Sequence, residues 1–313
     1  MKPSLFLFTL SLSLSSTSWG AASQHRVADF GELAGYLQQS GSPSTTLLVM
    51  DNDDTLTMMP CRQLPSDCQY LGGPAWYSWQ SQLIQHDSPS PMRVAQDSSG
   101  LLSISSLLFA MNRMPYTEQD IPGVLNQASL QGIRLLVETA RGPSDANATE
   151  QQFAALPTAF SRYNNFLSLI SQNSLILAAD LPAYASPIQP CNIPGSRQVA
   201  YQNGIYYVAG QNKGIMLSCL LTKFEQSVPA NPGLPITHIV FIDDTLANVE
   251  DVYQQFKNDD RYQVTALHYT ALQTHKAALT QGPKAAELQR QASQQWQHLK
   301  QSLEANLAQP MLP

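Results

Sequence analysis

Carboxylate, hydroxyl and amine side chains recur in four short polar clusters: Asp51-Asn52-Asp53-Asp54-Thr55, Glu138-Thr139-Ala140-Arg141-Gly142, Asn212-Lys213-Gly214 and Asp243-Asp244-Thr245. A carboxylate can attack phosphorus and form an aspartyl-phosphate. A second carboxylate two residues further on can protonate the leaving oxygen and then activate water. Several aspartates need a counter-ion, for which Mg²⁺ is suited, while hydroxyl, backbone amide and lysine groups can hold phosphate oxygens. These residue types therefore favour phosphoryl transfer.

Short apolar runs stand directly before three of these clusters, and each run predicts a buried β-strand. The runs are 45–50, 133–137 and 238–242. Two more strands are predicted at 175–178 and 264–269, and a β-hairpin at 199–208, where Asn203-Gly204 favours a type I′ turn. Since ligand sites of parallel α/β sheets lie at the carboxyl ends of the strands, we expect the clusters to meet at that edge.

Helical periodicity separates the predicted strands. One predicted helix begins at residue 30, behind a cap at Asp29. Others are predicted at 75–86, 101–113, 117–130, 148–166 and 213–226, and one more in the tail from 283. Buried strands that alternate with helices predict an α/β fold, with a mainly parallel sheet and helices on both faces.

In this order, the four clusters resemble the motifs of the haloacid dehalogenase (HAD) superfamily. Residues 49–56 match its hhDxDxTL first motif, Thr139 the second, Lys213 the third, and Asp243-Asp244 the paired acids of the fourth. The resemblance spans about 45–270 and implies a Rossmann-like fold with a cap insertion and a Mg²⁺-dependent phosphatase. The clusters also resemble those of a little-characterised group of exported bacterial HAD-like proteins.

The resemblance implies a role for each matched residue. Asp51 would be the nucleophile and Asp53 the general acid and base. The metal ligands would be Asp51, Asp53 through its backbone carbonyl, Asp243 and Asp244. The phosphate would be held by Thr139, Ala140, Arg141 and Lys213. The acid at position 53 favours a phosphatase, because the dehalogenases of this superfamily lack it.

Simpler structural roles compete with several of these assignments. Asp51–Thr55 resembles the start of an EF-hand calcium loop, but Leu56 and Arg62 stand where that loop needs Gly and Glu. Asp243-Asp244 could be a helix cap. Lys213 could be an ordinary surface lysine, and Arg141 could brace its loop rather than bind phosphate.

The N-terminus indicates an exported protein, and export affects how the cysteines are interpreted. Residues 1–22 have the basic start, short apolar stretch and small residues of a signal peptide, so we expect a periplasmic or secreted location. An oxidising compartment permits disulfides, and Cys61 and Cys68 could close a small loop. Zinc is disfavoured because no CxxC pair is present. Cys219 is expected to be a buried thiol, and Cys191 has no evident partner.

The predicted domain organisation follows the motifs. A catalytic domain at 23–282 would carry a cap insertion at about 57–131 and an accessory hairpin region at about 167–211. Trp76 and Trp79 in the insertion would pack a core, or one would stack on substrate. Residues 283–313 would form a C-terminal helix and tail, whose apolar stripe includes Trp296 and would pack against the domain.

Composition sets the outer limits. The chain has 313 residues, 13% of them charged, a net charge of -6 and a mean hydropathy of -0.18. This acidic balance disfavours binding to a nucleic-acid backbone, and no membrane span is expected after signal removal. The partner expected is a small phosphorylated substrate, with no protein partner indicated. Two other functions stay open: a binding or effector protein on a silent HAD scaffold, and a phosphotransferase.

Overall fold

The computed structural model describes residues 22–63, 67–87, 90–160, 162–177, 184–185, 191, 193, 196–227 and 235–307. The predicted signal peptide, apart from Ala22, lies outside these residues. None of the described helices combines the length and the apolar character that crossing a bilayer requires.

An eight-stranded, mainly parallel sheet forms the centre of the fold, in the order β1-β10-β9-β2-β5-β8-β7-β6. Its strands are β1 (Ala22–Val27), β2 (Thr46–Met50), β5 (Arg134–Thr139), β6 (Tyr184–Ala185), β7 (Val199–Gln202), β8 (Ile205–Tyr207), β9 (His238–Asp243) and β10 (Gln263–Tyr269). The first six strands in this order, from β1 through β10, β9, β2 and β5 to β8, pair in parallel. Strand β7 pairs antiparallel with β8 on one side and with β6 on the other. A separate hairpin joins β3 (Cys61–Gln63) and β4 (Asp67–Cys68).

Helices cover both faces of the sheet, which confirms the predicted α/β class. They are α1 (Phe30–Gln39), α2 (Pro74–Gln85), α3 (Ser98–Met111), α4 (Ile121–Leu130), α5 (Ala146–Ala154), α6 (Phe166–Asn173), α7 (Lys213–Ser227), α8 (Leu246–Phe256), α9 (Gln273–Thr280) and α10 (Ala285–Asn306). Residues of α1, α4, α5 and α6 share one buried cluster with alternate residues of β2, such as Leu48, while α7 and α8 pack with the intervening ones, such as Val49. Burial on both faces explains why four consecutive residues of β2, from Leu47 to Met50, are all apolar.

A third buried cluster lies away from the sheet and joins two parts of the chain that are far apart in sequence. Helices α2 and α3 of the insertion contribute Trp76, Trp79 and Leu101, and α9 and α10 contribute Leu279 and Trp296. Trp76 and Trp79 therefore pack a core, as the first of their two interpretations expected. The apolar stripe of the tail also packs against the protein, although Leu307 at its end is 51% exposed.

The prediction of a strand at 175–178 is wrong for the residues that the structure describes. Residues 175–177 are not a strand, and Ala178 lies outside the described residues. Strand β8 takes the place beside β5 in the sheet, supplied by the predicted hairpin, in which Asn203 and Gly204 both have positive φ angles. The Leu175 carbonyl instead accepts a hydrogen bond of 2.6 Å from the Tyr201 hydroxyl.

Two predicted helices also differ from the structure, and β1 has no counterpart in the prediction. The helix expected from Thr117 begins only at Ile121, because the Thr117 amide and hydroxyl bind the carbonyls of Leu56 and Thr55. The helix expected over 148–166 is two helices: α5 ends at Ala154, shortly before Pro157, and Asn165 caps the start of α6.

Both cysteine pairs form disulfides. The structure contains the expected Cys61–Cys68 bridge, which closes the β3–β4 hairpin. Cys219 was expected to be a free thiol, and this is wrong, because it is bonded to Cys191. Helical periodicity predicted that Cys219 faces the interior, but it carried no information about Cys191, which lies 28 residues earlier in sequence.

Candidate active site

Asp51 lies at the carboxyl end of β2, where the chain turns sharply. Its backbone amide donates to the carbonyl of Ile242 on β9, and the Thr55 hydroxyl donates to Asp51 Oδ2 at 3.0 Å. The amides of Thr55, Leu56 and Thr57 all donate to the Asn52 carbonyl, so the turn is tightly closed. The other carboxylate oxygen, Oδ1, faces Lys213.

Lys213 is the first residue of α7 and its side chain is only 1% exposed. Its Nζ donates to Asp51 Oδ1 at 2.5 Å and to Asp243 Oδ2 at 2.7 Å. The lysine therefore joins residues from β2 and β9, the two strands that lie side by side at the centre of the sheet. Because its side chain is buried, Lys213 is not the ordinary surface lysine of the alternative interpretation.

Asp243 and Asp244 follow one another at the end of β9. Asp243 Oδ1 accepts a hydrogen bond of 2.8 Å from the Thr245 amide, and Asn248 Nδ2 reaches both Asp243 oxygens. One carboxylate oxygen from each of Asp51, Asp243 and Asp244 lies within 4.8 Å of the others. This set of hard oxygen donors fits Mg²⁺, although other divalent cations also bind such sets.

The carboxylates of the site are buried together, and their proton affinities reflect it. Burial raises the pKa of Asp51 to about 7, with the Lys213 ammonium opposing the shift and the charges of Asp243 and Asp53 adding to it. Burial also raises the pKa of Asp243 and of Asp244. Burial by itself would lower the pKa of Lys213, but the neighbouring carboxylates outweigh it and raise the value. When all these acids are ionised, the site therefore favours the binding of a further cation.

Asp53 is held by Arg141 rather than left free. Arg141 Nε donates to Asp53 Oδ2 at 2.8 Å and Nη2 donates to Oδ1 at 2.7 Å, which is a bidentate ion pair. The guanidinium also donates to Thr149 and Gln152 of α5 and lies 3.9 Å from the centre of the Phe109 ring. Arg141 therefore braces the two loops, as its alternative role expected.

Thr139 and Ala140 stand at the same edge of the sheet. Thr139 ends β5, the strand beside β2, and its fully buried hydroxyl accepts a hydrogen bond of 3.2 Å from the Arg141 amide. Ala140 is exposed in the turn that follows. The structure thus brings Lys213 into direct contact with Asp51 and Asp243, places an oxygen of Asp244 within 4.8 Å of theirs, and sets the Thr139 turn on the neighbouring strand.

Three charged residues at the site had no role predicted from the sequence. Lys276 of α9 donates to Asp244 Oδ2. Asp54 is buried and has a positive φ angle of 63°, and its pKa is raised well above the usual value by burial and then by the charge of Asp244. Glu138 is fully buried on β5, where both its oxygens lack a hydrogen-bond partner.

Different signals mark these three residues. Asp54 stands inside the first cluster, and an acid at that position was a visible candidate. Glu138 interrupts an apolar strand, which is an uncommon place for a carboxylate and therefore a signal. Lys276 lies in a short polar helix after the last strand, and nothing in its surroundings in sequence points to the site.

The fold and site together define an α/β protein with a buried carboxylate and lysine centre at the carboxyl edge of a mainly parallel sheet. Residues 26–309 match the family model described as "Protein of unknown function (DUF2608)", and the protein belongs to that family.

No curated protein is similar enough in sequence to match the chain. Among solved structures, the crystal structure of cytosolic 5′-nucleotidase IIIB bound to cytidine is similar at 11% identity, covering 87% of this chain and 93% of that one. The TM-score is 0.26, which is too low to support a statement about fold or function.

Proposed function

We propose that the protein is an exported, Mg²⁺-dependent phosphohydrolase of the HAD type, which cleaves a phosphate monoester through an aspartyl-phosphate on Asp51. The observation that carries this proposal is the buried contact of Asp51 with Lys213, beside Asp243 and Asp244. This contact supports the proposal because a carboxylate, a buried positive charge and further oxygen donors lie within one site, as a carboxylate nucleophile and its metal would need. The resemblance of the four clusters to HAD motifs supports the same assignment.

The metal would be held by the carboxylates of Asp51, Asp243 and Asp244, with the backbone carbonyl of Asp53 as a further ligand. When bound, Mg²⁺ supplies positive charge that stabilises the phosphoryl oxygens in the transition state. Lys213 would add its own charge to the same oxygens and keep Asp51 aligned. Thr139, the Ala140 amide and the turn that carries them would hold the phosphate from the β5 side.

The reaction divides into two displacements. A carboxylate oxygen of Asp51 attacks phosphorus, the bond from phosphorus to the leaving oxygen breaks, and that oxygen takes a proton from Asp53. Asp53 then removes a proton from water, whose oxygen attacks phosphorus and breaks the bond to Asp51. Asp53 Oδ1 accepts from Arg141 Nη2 through one lone pair, and its second lone pair can carry the proton while the ion pair is kept.

Export is supported by the signal-like residues 1–22 and by the two disulfides, because disulfides persist mainly in oxidising compartments. Fractionation of an expressing bacterium should recover the protein outside the cytoplasm with Ser23 as its first residue. Recovery in the cytoplasm with residues 1–22 attached would contradict this part of the proposal.

Hydrolysis of a generic aryl phosphate by the purified protein tests the proposal. We expect activity with Mg²⁺, no activity with a chelator, and none in Asp51→Asn, which preserves the shape of the side chain and removes the nucleophile. Asp87→Asn is the matched control, since the Asp87 side chain is 95% exposed and contacts Arg93 rather than a residue of the site. Full activity of Asp51→Asn would refute the nucleophile assignment. Transfer of the phosphoryl group to added alcohols would indicate the phosphotransferase.

A further inference from the structure

Lys276 brings a second ammonium group to the acidic end of the site. Its Nζ donates to Asp244 Oδ2, and the Asp244 side chain is only 5% exposed. The Lys276 side chain is 26% exposed, so it reaches the site from the solvent side. Lys213 meets Asp51 and Asp243 instead, which means that each of the three candidate metal ligands already contacts one ammonium group.

The packing of α9 fixes where this ammonium lies. The ring of His275, the preceding residue, stacks on Tyr70 of the insertion with ring centres 4.5 Å apart, and the Tyr70 hydroxyl donates to the His275 carbonyl at 3.1 Å. Leu279, further along α9, is fully buried in the third cluster. These contacts anchor the helix on both sides of Lys276, so its charge is held near Asp244 by the fold.

The charges around the cluster support a balancing role. Five aspartates meet here, Asp51, Asp53, Asp54, Asp243 and Asp244, and the described basic residues that contact them are Lys213, Arg141 and Lys276. Glu138 is a sixth carboxylate at the site and is itself buried, so the acids outnumber the basic groups. Removing the charge of Lys276 would therefore raise the attraction of the site for a cation.

We propose that Lys276 is a positioning residue that limits the affinity of the site for Mg²⁺, because it holds Asp244 and places a fixed positive charge beside the metal ligands. This inference rests on the proposed function, since it assumes the metal site formed by Asp51, Asp243 and Asp244. It predicts that removing the charge, while keeping the apolar stem, makes Mg²⁺ bind more tightly.

Calorimetric titration of the purified full chain with Mg²⁺, without substrate, tests the proposal. We expect Lys276→Met to bind Mg²⁺ about tenfold more tightly than the wild type, which is a modest part of what the Coulomb interaction of close charges allows. Lys276→Arg keeps the positive charge and should stay close to the wild-type affinity. Asp243→Asn should lose binding, and thermal unfolding of each variant establishes that it is folded.

The outcomes separate this inference from the proposed function. Equal or weaker Mg²⁺ binding by folded Lys276→Met, with binding still lost in Asp243→Asn, would overturn the inference and leave the metal site intact. If folded wild type and every variant bind no Mg²⁺, the metal site fails, and both the inference and the metal-dependent function fall with it.

Discussion

At the scale of single residues, the site buries carboxylates, and one ammonium group and several neutral hydrogen-bond donors offset part of the cost. Asp51 is 6% exposed and Asp243 fully buried, and one lysine bonds both of them. A cation that binds only the folded protein stabilises it in proportion to its affinity and concentration. The stability of the protein is therefore expected to depend on Mg²⁺.

The raised pKa of Asp51 predicts how stability changes with pH. Its value is about 7 in the folded protein, against about 3.9 for an aspartate in an unfolded chain. Between these values the folded state holds a proton that the unfolded chain has released, so the contribution of Asp51 to stability is lost as the pH rises through the folded pKa.

Comparison with Asp51→Asn isolates this effect, because asparagine does not titrate. In a chelating buffer, we expect the melting temperature of the wild type to fall relative to Asp51→Asn by several degrees between pH 5 and pH 8. Differential scanning calorimetry at both values measures this difference. A difference that is independent of pH, or that grows in favour of the wild type at pH 8, would refute the burial argument. Asp87→Asn should follow the wild type.

The sequence predicted that the polar residues after the apolar strands meet at one edge of the sheet, but it did not indicate Lys276, which arrives by packing. Asp51, Thr139 and Asp243 each end a short buried run, and the geometry of a parallel sheet brings such ends together. Lys276 follows no such run and reaches Asp244 only because α9 folds back over the sheet edge. Likewise, no local pattern predicts that Arg141 pairs with Asp53, which is 88 positions away.

At the scale of elements, α7 matters because it carries Lys213 into the site. It packs closely on α8: a Cβ atom on Gly214 would lie 2.3 Å from the carbonyl oxygen of Asp251. That oxygen belongs to a helix backbone and cannot turn aside. The glycine next to Lys213 thus lets the two helices approach and fixes the depth to which the lysine enters.

Gly214→Ala should therefore destabilise the protein by about 1 to 3 kcal/mol, the usual cost of overpacking. We also expect it to lower activity, because separation of the helices withdraws Lys213 from Asp51. Gly123→Ala is the matched control: it lies in α4 with nothing within 4 Å of the added atom, and helix propensity favours alanine there. Chemical denaturation measures both variants. If Gly214→Ala were as stable as the wild type, the close approach would have no energetic importance.

Prediction of elements succeeded where burial and local turn chemistry agreed. The hairpin around Asn203-Gly204 has both signals, and it forms. For the apolar run at 175–178, composition alone indicated a strand, without a turn signal beside it. In the structure Leu175 is buried, but Ile176 beside it is 65% exposed. Which of two apolar segments pairs with β5 depends on competition for one edge of the sheet, and a single segment does not show that competition.

At the scale of the whole molecule, the insertion and the C-terminal helices form one packed unit. Trp76 and Trp296 are 0% and 1% exposed in the same cluster, although 220 positions separate them in the chain. Since α9 belongs to this unit and carries Lys276, packing far from the sheet determines where a charge lies at the site. This connection is invisible to periodicity, which identifies an apolar face without its partner.

Truncation of Trp296 tests the unit. Trp296→Ala should destabilise the protein by about 3 to 5 kcal/mol, as expected when a fully buried tryptophan is lost. Leu307→Ala, at the exposed end of the same stripe, should change stability by less than about 0.5 kcal/mol. Urea denaturation gives both values. A tryptophan variant as stable as the leucine variant would show that the tail is not part of the core.

The most direct test of the account is the detection of a phosphorylated Asp51. The purified protein would be quenched in acid during turnover of an aryl phosphate with Mg²⁺, and its peptides mapped by mass spectrometry. We predict one phosphoryl group on Asp51, sensitive to hydroxylamine and missing from Asp51→Asn, which should not turn over the substrate. A phosphoryl group on another residue, or turnover that persists in Asp51→Asn, would contradict the account.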